Sequence, residues 1–154
     1  MEVAEKSLII VDLDGTLTNS DHRVEFAQRG DWDGFNSLVS GDEAYPDVWS
    51  FLMLLWACES PLETWAVSGR DDKYRNETVK WLDDHGVIFD QIFLRPANDQ
   101  TPDAELKLGL LIEALGGIEE VRKAVLFVLE DNEKTVEMYR NAGLACWQVR
   151  PGTY

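Results

Sequence analysis

The stretch SLIIVDLDGTLT, Ser7 to Thr18, begins as an apolar, β-branched run and turns abruptly acidic at Asp12. Such a run, stopped by Asp and Gly15, predicts a buried strand over residues 7–13. Outward from it the same grammar repeats. TWAV (Thr64 to Val67), QIFL (Gln91 to Leu94), AVLFVL (Ala124 to Leu129) and ACWQV (Ala145 to Val149) predict four more strands. Helical patterns separate them. One runs from Asp47 to Ala57 after Pro46, and one from Asp72 to His85 with Tyr74, Val79, Trp81 and Leu82 among charges. A third runs from Asp103 to Leu115 and stops at Gly116-Gly117; a fourth is capped by Asn132 and ended by Gly143. Strands alternating with helices predict an α/β, doubly wound, Rossmann-like sheet of five mostly parallel strands, covered on both faces. In such sheets chemistry gathers beyond the carboxyl ends of the strands, near the point where strand order reverses.

A chain of 154 residues suffices for one domain with one substantial core. Residues 1–154 are therefore read as a single unit, with 19–45 a small flap-like insertion after the first strand. Six Trp, four Tyr and six Phe argue for a packed interior, because disordered chains are poor in aromatics. No apolar run approaches the roughly 20 residues of a membrane span. The start, MEVAEKSLII, lacks a basic region and a small-residue cleavage site, so a cytoplasmic location is expected. Cys58 and Cys146 have no metal-ligand spacing and are read as buried free thiols. Fourteen Lys and Arg against 29 Asp and Glu leave a net charge of −15. Such a surface repels a phosphate backbone, which disfavours tight non-specific binding to duplex DNA but not the gripping of one terminal phosphate by local cations.

The strand ends carry the chemistry. Asp12 and Asp14 flank Leu13 where the first strand enters a glycine turn, a pair suited to a hard divalent cation or to a nucleophile beside a proton donor. Ser68-Gly69-Arg70 follows the second strand and offers a hydroxyl and backbone N–H groups for an oxyanion. Glu130-Asp131 ends the fourth. Lys107, one of six lysines, lies on the intervening helix. Each taken alone has an ordinary reading, such as a turn cap or a solvated charge. Together they would crowd like charges at one sheet edge, and a cation-dependent phosphate site removes that conflict.

In order and spacing these residues resemble the haloacid dehalogenase (HAD) superfamily of phosphotransferases. DLDGTLT looks like its first motif, and Ser68, Lys107 and Glu130-Asp131 look like the second, third and fourth. The C-terminal TVEMYRNAGLACWQVRPGTY, with Arg23, the SGR at 68–70 and Asp103, further resembles the phosphatase domain of polynucleotide kinase-phosphatases and their stand-alone relatives. No GxxxxGK[ST] loop occurs in the chain, so the kinase half is absent from it.

The resemblance implies a HAD fold and a mechanism. Asp12 is the implied nucleophile, forming an aspartyl-phosphate, and Asp14 the proton donor and later the base, provided its site raises its pKa or acts through geometry. Mg2+ is the implied cofactor, held by Asp12, the main-chain carbonyl of Asp14 and Asp131, with Glu130 a further metal-site residue that reaches a metal-bound water or Lys107. Ser68, the Gly69 amide and Lys107 stabilise the phosphoryl oxygens. Thr16, Arg23 and Arg70 join Gly69 as implied substrate contacts, the arginines alternatively being ordinary surface residues. Glu130 departs from the Asp usual in the narrower group, which predicts an altered metal preference or rate. Trp32 and Phe35 either stack on a base or pack the flap onto the core, and His22 and His85 form no metal or triad arrangement.

The implied substrate is a nucleotide-type phosphate, such as a nucleic-acid 3′ end, with a small mononucleotide or other phosphometabolite as the alternative. Two readings of another class are a receiver-like phospho-acceptor and a non-catalytic interaction module. The receiver is disfavoured because the third strand ends Leu94-Arg95-Pro96, without an acceptor Asp.

Overall fold

The computed structural model describes residues 7–152. Its five-stranded sheet comprises β1 (Leu8–Val11), β4 (Glu63–Asp71), β5 (Gln91–Arg95), β6 (Val125–Asn132) and β7 (Cys146–Gly152), ordered β5-β4-β1-β6-β7. Every neighbouring pair is parallel. This is the expected doubly wound α/β fold.

Alternation along β1 builds both halves of the core. Ile9 and Val11 point to one face, where α3 (Pro46–Ala57) contributes Val48 and Leu52 and α4 (Arg75–Asp84) contributes Trp81 and Leu82. Leu8 and Ile10 point to the other, met by Leu111 of α5 (Asp103–Leu115), Val121 of α6 (Ile118–Ala124) and Tyr139 of α7 (Glu133–Asn141). Because β1 is flanked on both edges and covered on both faces, all four of its residues are buried.

Between β1 and α3 the chain leaves the sheet. A two-rung antiparallel ladder, β2 (Thr18–Asn19) with β3 (Glu43–Ala44), clamps the base of the insertion. Two short helices, α1 (Val24–Gln28) and α2 (Trp32–Ser37), form the excursion itself. Asp31 caps α2 by accepting from the Gly34 N–H at 2.9 Å.

Several expected boundaries move. The strand over 64–67 does not stop at Ser68-Gly69 but continues to Asp71, and β6 runs past Leu129 to Asn132. Backbone pairing with β5 and β7 carries these polar residues as strand, beyond the end of each apolar run. The helix expected from Asp72 starts as a 3-10 turn (Asp72–Tyr74) before α4. Helix α6 lies in a segment with no predicted element and takes in Ala124, expected as the first residue of the next strand. Asn132 caps α7 as expected, accepting from the N–H groups of Lys134 and Thr135. Cys146 is buried, but Cys58, at the C-terminal end of α3, is exposed, so only one of the two expected buried thiols is one. Among the described residues, no helix is long and apolar enough to cross a membrane.

Candidate active site

Parallel register brings the motifs together. Val11 lies opposite Ala66 on one side and Leu129 on the other, so Asp12, Ser68 and Glu130-Asp131 leave neighbouring strands at the same edge. They line one cleft of about 870 Å³, closed on one side by α2 and on the other by the 98–104 segment.

The first charged cluster centres on Lys107. Its ammonium donates to Asp12 Oδ1 and Glu130 Oε2, both at 2.9 Å, and pairs with Asp103 Oδ2 at 2.9 Å. Three N–H donors thus meet three carboxylates. Burial alone would make Lys107 give up its proton, but Asp12, Glu130 and Asp103 more than reverse this and hold it protonated. Glu130 has no spare oxygen: Oε1 accepts from the backbone N–H groups of Asp131 and Asn132, each at 3.1 Å, and Oε2 takes Lys107. Asp131 rests in a glycine cradle. A Cβ on Gly15 would lie 2.2 Å, and one on Gly152 2.1 Å, from Asp131 Oδ2. Gly15 also has φ +83°, so it is glycine for two reasons.

One carboxylate oxygen from each of Asp12, Glu130 and Asp131 lies within 4.8 Å of the others. Burial and then the neighbouring Glu130 charge raise the pKa of Asp12, and the same two causes push Asp131 up to about 7. A single lysine does not neutralise this group. All-oxygen donors, an excess of negative charge and room left by two glycines are what a hard divalent cation requires, so the residues fit one.

The second cluster centres on Asp14. Arg70 donates from Nη2 at 2.7 Å and from Nε to both carboxylate oxygens, and Arg23 Nη2 makes a very short contact to Oδ1. Behind Asp14 lies Asp42, buried at the foot of the insertion. Its oxygens accept from Arg23 Nε at 2.7 Å, Arg23 Nη2 at 2.6 Å and Arg70 Nη2 at 3.0 Å, and His22 Nε2 lies 2.8 Å away. Arg23 also donates to the Phe35 carbonyl and stacks over the Phe35 ring at 4.0 Å. Burial would raise the pKa of Asp14; Arg70 and Arg23 overwhelm it and hold the carboxyl well below the usual range.

Several expected roles change on this geometry. Arg23 and Arg70 are not surface arginines, being 0% and 2% exposed. Arg70 lines the cleft, whereas Arg23 and Thr16 do not. Thr16 instead donates its hydroxyl to Asp131 Oδ1 at 3.3 Å, supporting a carboxylate. The site lowers rather than raises the pKa of Asp14, so any acid role there rests on geometry. Gly69 faces the cleft where a Cβ would meet Asp103 Oδ1 at 2.0 Å, which reserves that position for glycine. Phe35 packs into the flap, while Trp32 stays 53% exposed.

Two supporting residues escaped the sequence reading. Asp42 lies in no recognisable motif. Arg150 on β7 donates from Nη1 to the carbonyls of Gly15 and Thr16 at 2.7 and 2.8 Å, anchored by Asp47 and by the Tyr45 ring. It ties the last strand to the glycine turn that follows β1. The only legible signal was its place within the C-terminal resemblance.

The profile described as "Polynucleotide kinase PNKP phosphatase domain" matches residues 6–154. The chain belongs to that family. It is a HAD-type phosphatase. Among solved structures, it is similar to a chain of the Pnkp1/Rnl/Hen1 RNA repair complex, with 28% identity and a TM-score of 0.80 over 100% of this chain and 45% of that one. A second structure of the Pnkp1/Rnl/Hen1 complex gives 28% identity and 0.79 over 97% and 47%. This HAD phosphatase thus spans less than half the length of those relatives. The fold is shared more distantly with L-2-haloacid dehalogenase from Xanthobacter autotrophicus, at 15% identity and 0.59 over 92% and 76%.

Proposed function

We propose that the chain is a magnesium-dependent phosphomonoesterase acting through an aspartyl-phosphate, on the 3′-phosphate of a nucleotide or polynucleotide end. The observation that carries the reading is the buried Asp12–Lys107–Glu130–Asp131 cluster, acidic beyond what its lysine neutralises, at the carboxyl edge of the sheet. The match to a polynucleotide phosphatase family supports the substrate class.

Asp12 attacks phosphorus while the P–O bond to the leaving group breaks, the departing oxygen taking its proton from solvent water. A second water then displaces the aspartyl group, giving one proton to Asp14 and returning Asp12 as a carboxylate. Two easier displacements replace one hard hydrolysis. Asp12 and Asp131, with the Asp14 main-chain carbonyl, would hold the metal, and Mg2+ bound there would supply charge neutralisation at the phosphoryl oxygens and at these carboxylates. Ser68, the Gly69 amide and Lys107, all lining the cleft, would stabilise the same oxygens. Glu130 has both oxygens committed within the chain, so its work is to hold Lys107 and the Asp131 backbone. Asp14, kept ionised by Arg70 and Arg23, is in the form needed to take a proton from water in the second step.

Phosphate release from a 3′-phosphorylated oligonucleotide, its 5′-phosphorylated twin and the 3′- and 5′-mononucleotides, with magnesium and then EDTA, tests the reading. Preferential release from the 3′-phosphorylated oligonucleotide is expected. A preference for mononucleotides would keep the mechanism and move the role to nucleotide metabolism. Equal release by wild type and Asp12→Asn would overturn the mechanism.

A further inference from the structure

The cleft is far larger than one phosphate, and its mouth is lined differently from its floor. Trp32 stands there, 53% exposed, although a tryptophan is normally covered. It is also pinned. Its ring meets the buried Phe35 ring edge-on at 5.9 Å, and its carbonyl accepts from Asn36 Nδ2 at 2.9 Å. Its neighbour Asp33 accepts from the Tyr74 hydroxyl at 2.6 Å and pairs with Lys73, fastening α2 to the turn after β4. A rigid indole face is thus held open at the entrance to a phosphate site.

The other unusual group at the mouth is Lys134, at the start of α7. Arg70, Lys73, Arg95 and Lys107 line the same cleft, and each is paired with a carboxylate of the chain. Lys134 is exposed and, among the described residues, has no carboxylate partner, in a protein with twice as many acids as bases. The carboxylates of Asp71, Asp99 and Glu133 also line the cleft, so charge alone does not draw in a long polyanion. Stacking, which is indifferent to charge, does the gripping.

We propose that Trp32 is the platform on which the base of the phosphorylated terminal nucleoside stacks, and that Lys134 receives the next phosphodiester, so that the cleft takes a single-stranded nucleic-acid end. This rests on the phosphatase reading above and assigns its substrate contacts.

The test compares kcat and KM on three substrates, namely a 3′-phosphorylated single-stranded oligonucleotide, a 3′-mononucleotide and glycerol 2-phosphate, which has no base. Trp32→Ala is expected to cut the preference for both nucleotide substrates over glycerol 2-phosphate by about tenfold, chiefly through KM, as loss of one stacked base implies. Trp32→Phe restores most of it. Lys134→Gln raises KM for the oligonucleotide alone and flattens its salt dependence. If Trp32→Ala slows all three substrates in proportion, the residue only shapes the flap and the platform is wrong. If Lys134→Gln affects the mononucleotide as much as the oligonucleotide, the second-phosphate contact is wrong. Release from none of the three by wild type sinks the phosphatase reading itself, an outcome distinct from both.

Discussion

The two charged clusters are built from the same residue types and have opposite balance. Around Asp14, two carboxylates face two guanidiniums, each buried partner hydrogen-bonded to the next. Around Asp12, four carboxylates meet one ammonium. The first cluster is complete as the chain folds and reads as scaffold for Asp14. The second remains short of positive charge, a shortage that a bound cation would fill and through which a phosphoryl group could be held. A neutral cluster holds shape; an unbalanced one binds.

The sharpest break of this contrast is at Asp12, the proposed nucleophile. Asp12→Asn removes the carboxylate that the proposed mechanism uses to attack phosphorus, while keeping its size and an oxygen for Lys107. Phosphate release should fall by about 10⁴-fold or more, as with nucleophile removal in other covalent enzymes. Heat denaturation should show the variant folded and, without metal, no less stable than wild type, since one repelling charge has gone. A variant retaining a tenth of wild-type turnover would remove Asp12 from the centre of the chemistry.

In the balanced cluster the effect should reverse, with stability suffering first. Asp42→Ala leaves Arg23 and Arg70 buried with half their compensation. Breaking one side of a buried ion network costs about 3–5 kcal/mol, which in a protein of this size lowers Tm by about 10 °C. Activity at low temperature should fall less than in Asp12→Asn. A melting temperature within a degree of wild type would mean that the arginines do not depend on Asp42.

How much of this contrast was legible depended on whether a group is announced by its own strand. Asp12, Ser68 and Glu130-Asp131 follow apolar runs that end at one sheet edge, so spacing along the chain translates directly into proximity. Asp42 follows no such run. It reaches Asp14 only because the two-rung ladder of Thr18–Asn19 with Glu43–Ala44 folds the insertion back on itself, a pairing too short to leave a pattern. Arg150 is a comparable case, a residue on an edge strand whose target, the Gly15 turn, lies 135 positions away. The extents of β4 and β6 were missed because their final residues are polar, and hydropathy cannot see a strand held by backbone pairing. Cys58 looked buried because its helix is apolar on every side, while the cysteine itself lies at the open end.

A third expectation uses pH to separate the clusters. Asp131 titrates at about 7 in the fold against an ordinary value near 4. A carboxyl with a raised folded pKa favours the folded state below its unfolded value, and that advantage is lost as pH rises from about 4 through 7. Without metal, the protein should therefore melt several degrees lower at pH 8 than at pH 5. Magnesium at pH 8 should recover the lost stability, and Asp131→Asn should shrink both effects, the remainder belonging to Asp12, whose pKa is raised by the same causes. Asp14 has the opposite sign. Its pKa lies below the ordinary value, so its contribution persists through this window and is lost only in stronger acid. A metal-free protein equally stable at pH 5 and pH 8 would place the unbalanced charge elsewhere.

The smallest expected effect concerns Glu130. Its carboxylate spans from two backbone amides at the start of the Asp131 turn to the Lys107 ammonium. Glu130→Asp shortens the side chain by one methylene, so it cannot serve both ends. Its likeness to the sequence usual in the family suggests that a shorter acid functions when the surroundings fit it. Here they fit the longer one: Glu130 is 0% exposed and both of its oxygens are engaged. The substitution should lower turnover by about threefold to tenfold and raise the magnesium concentration needed for half-maximal rate, because Lys107 loses one of the carboxylates that hold it against Asp12 and the Asp131 backbone loses its acceptor. Glu130→Gln keeps the length and removes the charge, and should cost more, since a buried ammonium then loses a counter-ion. If the Asp variant matches wild type in both turnover and magnesium requirement, the reach of this side chain has no bearing on the reaction, and Lys107 is positioned by Asp12 and Asp103 alone.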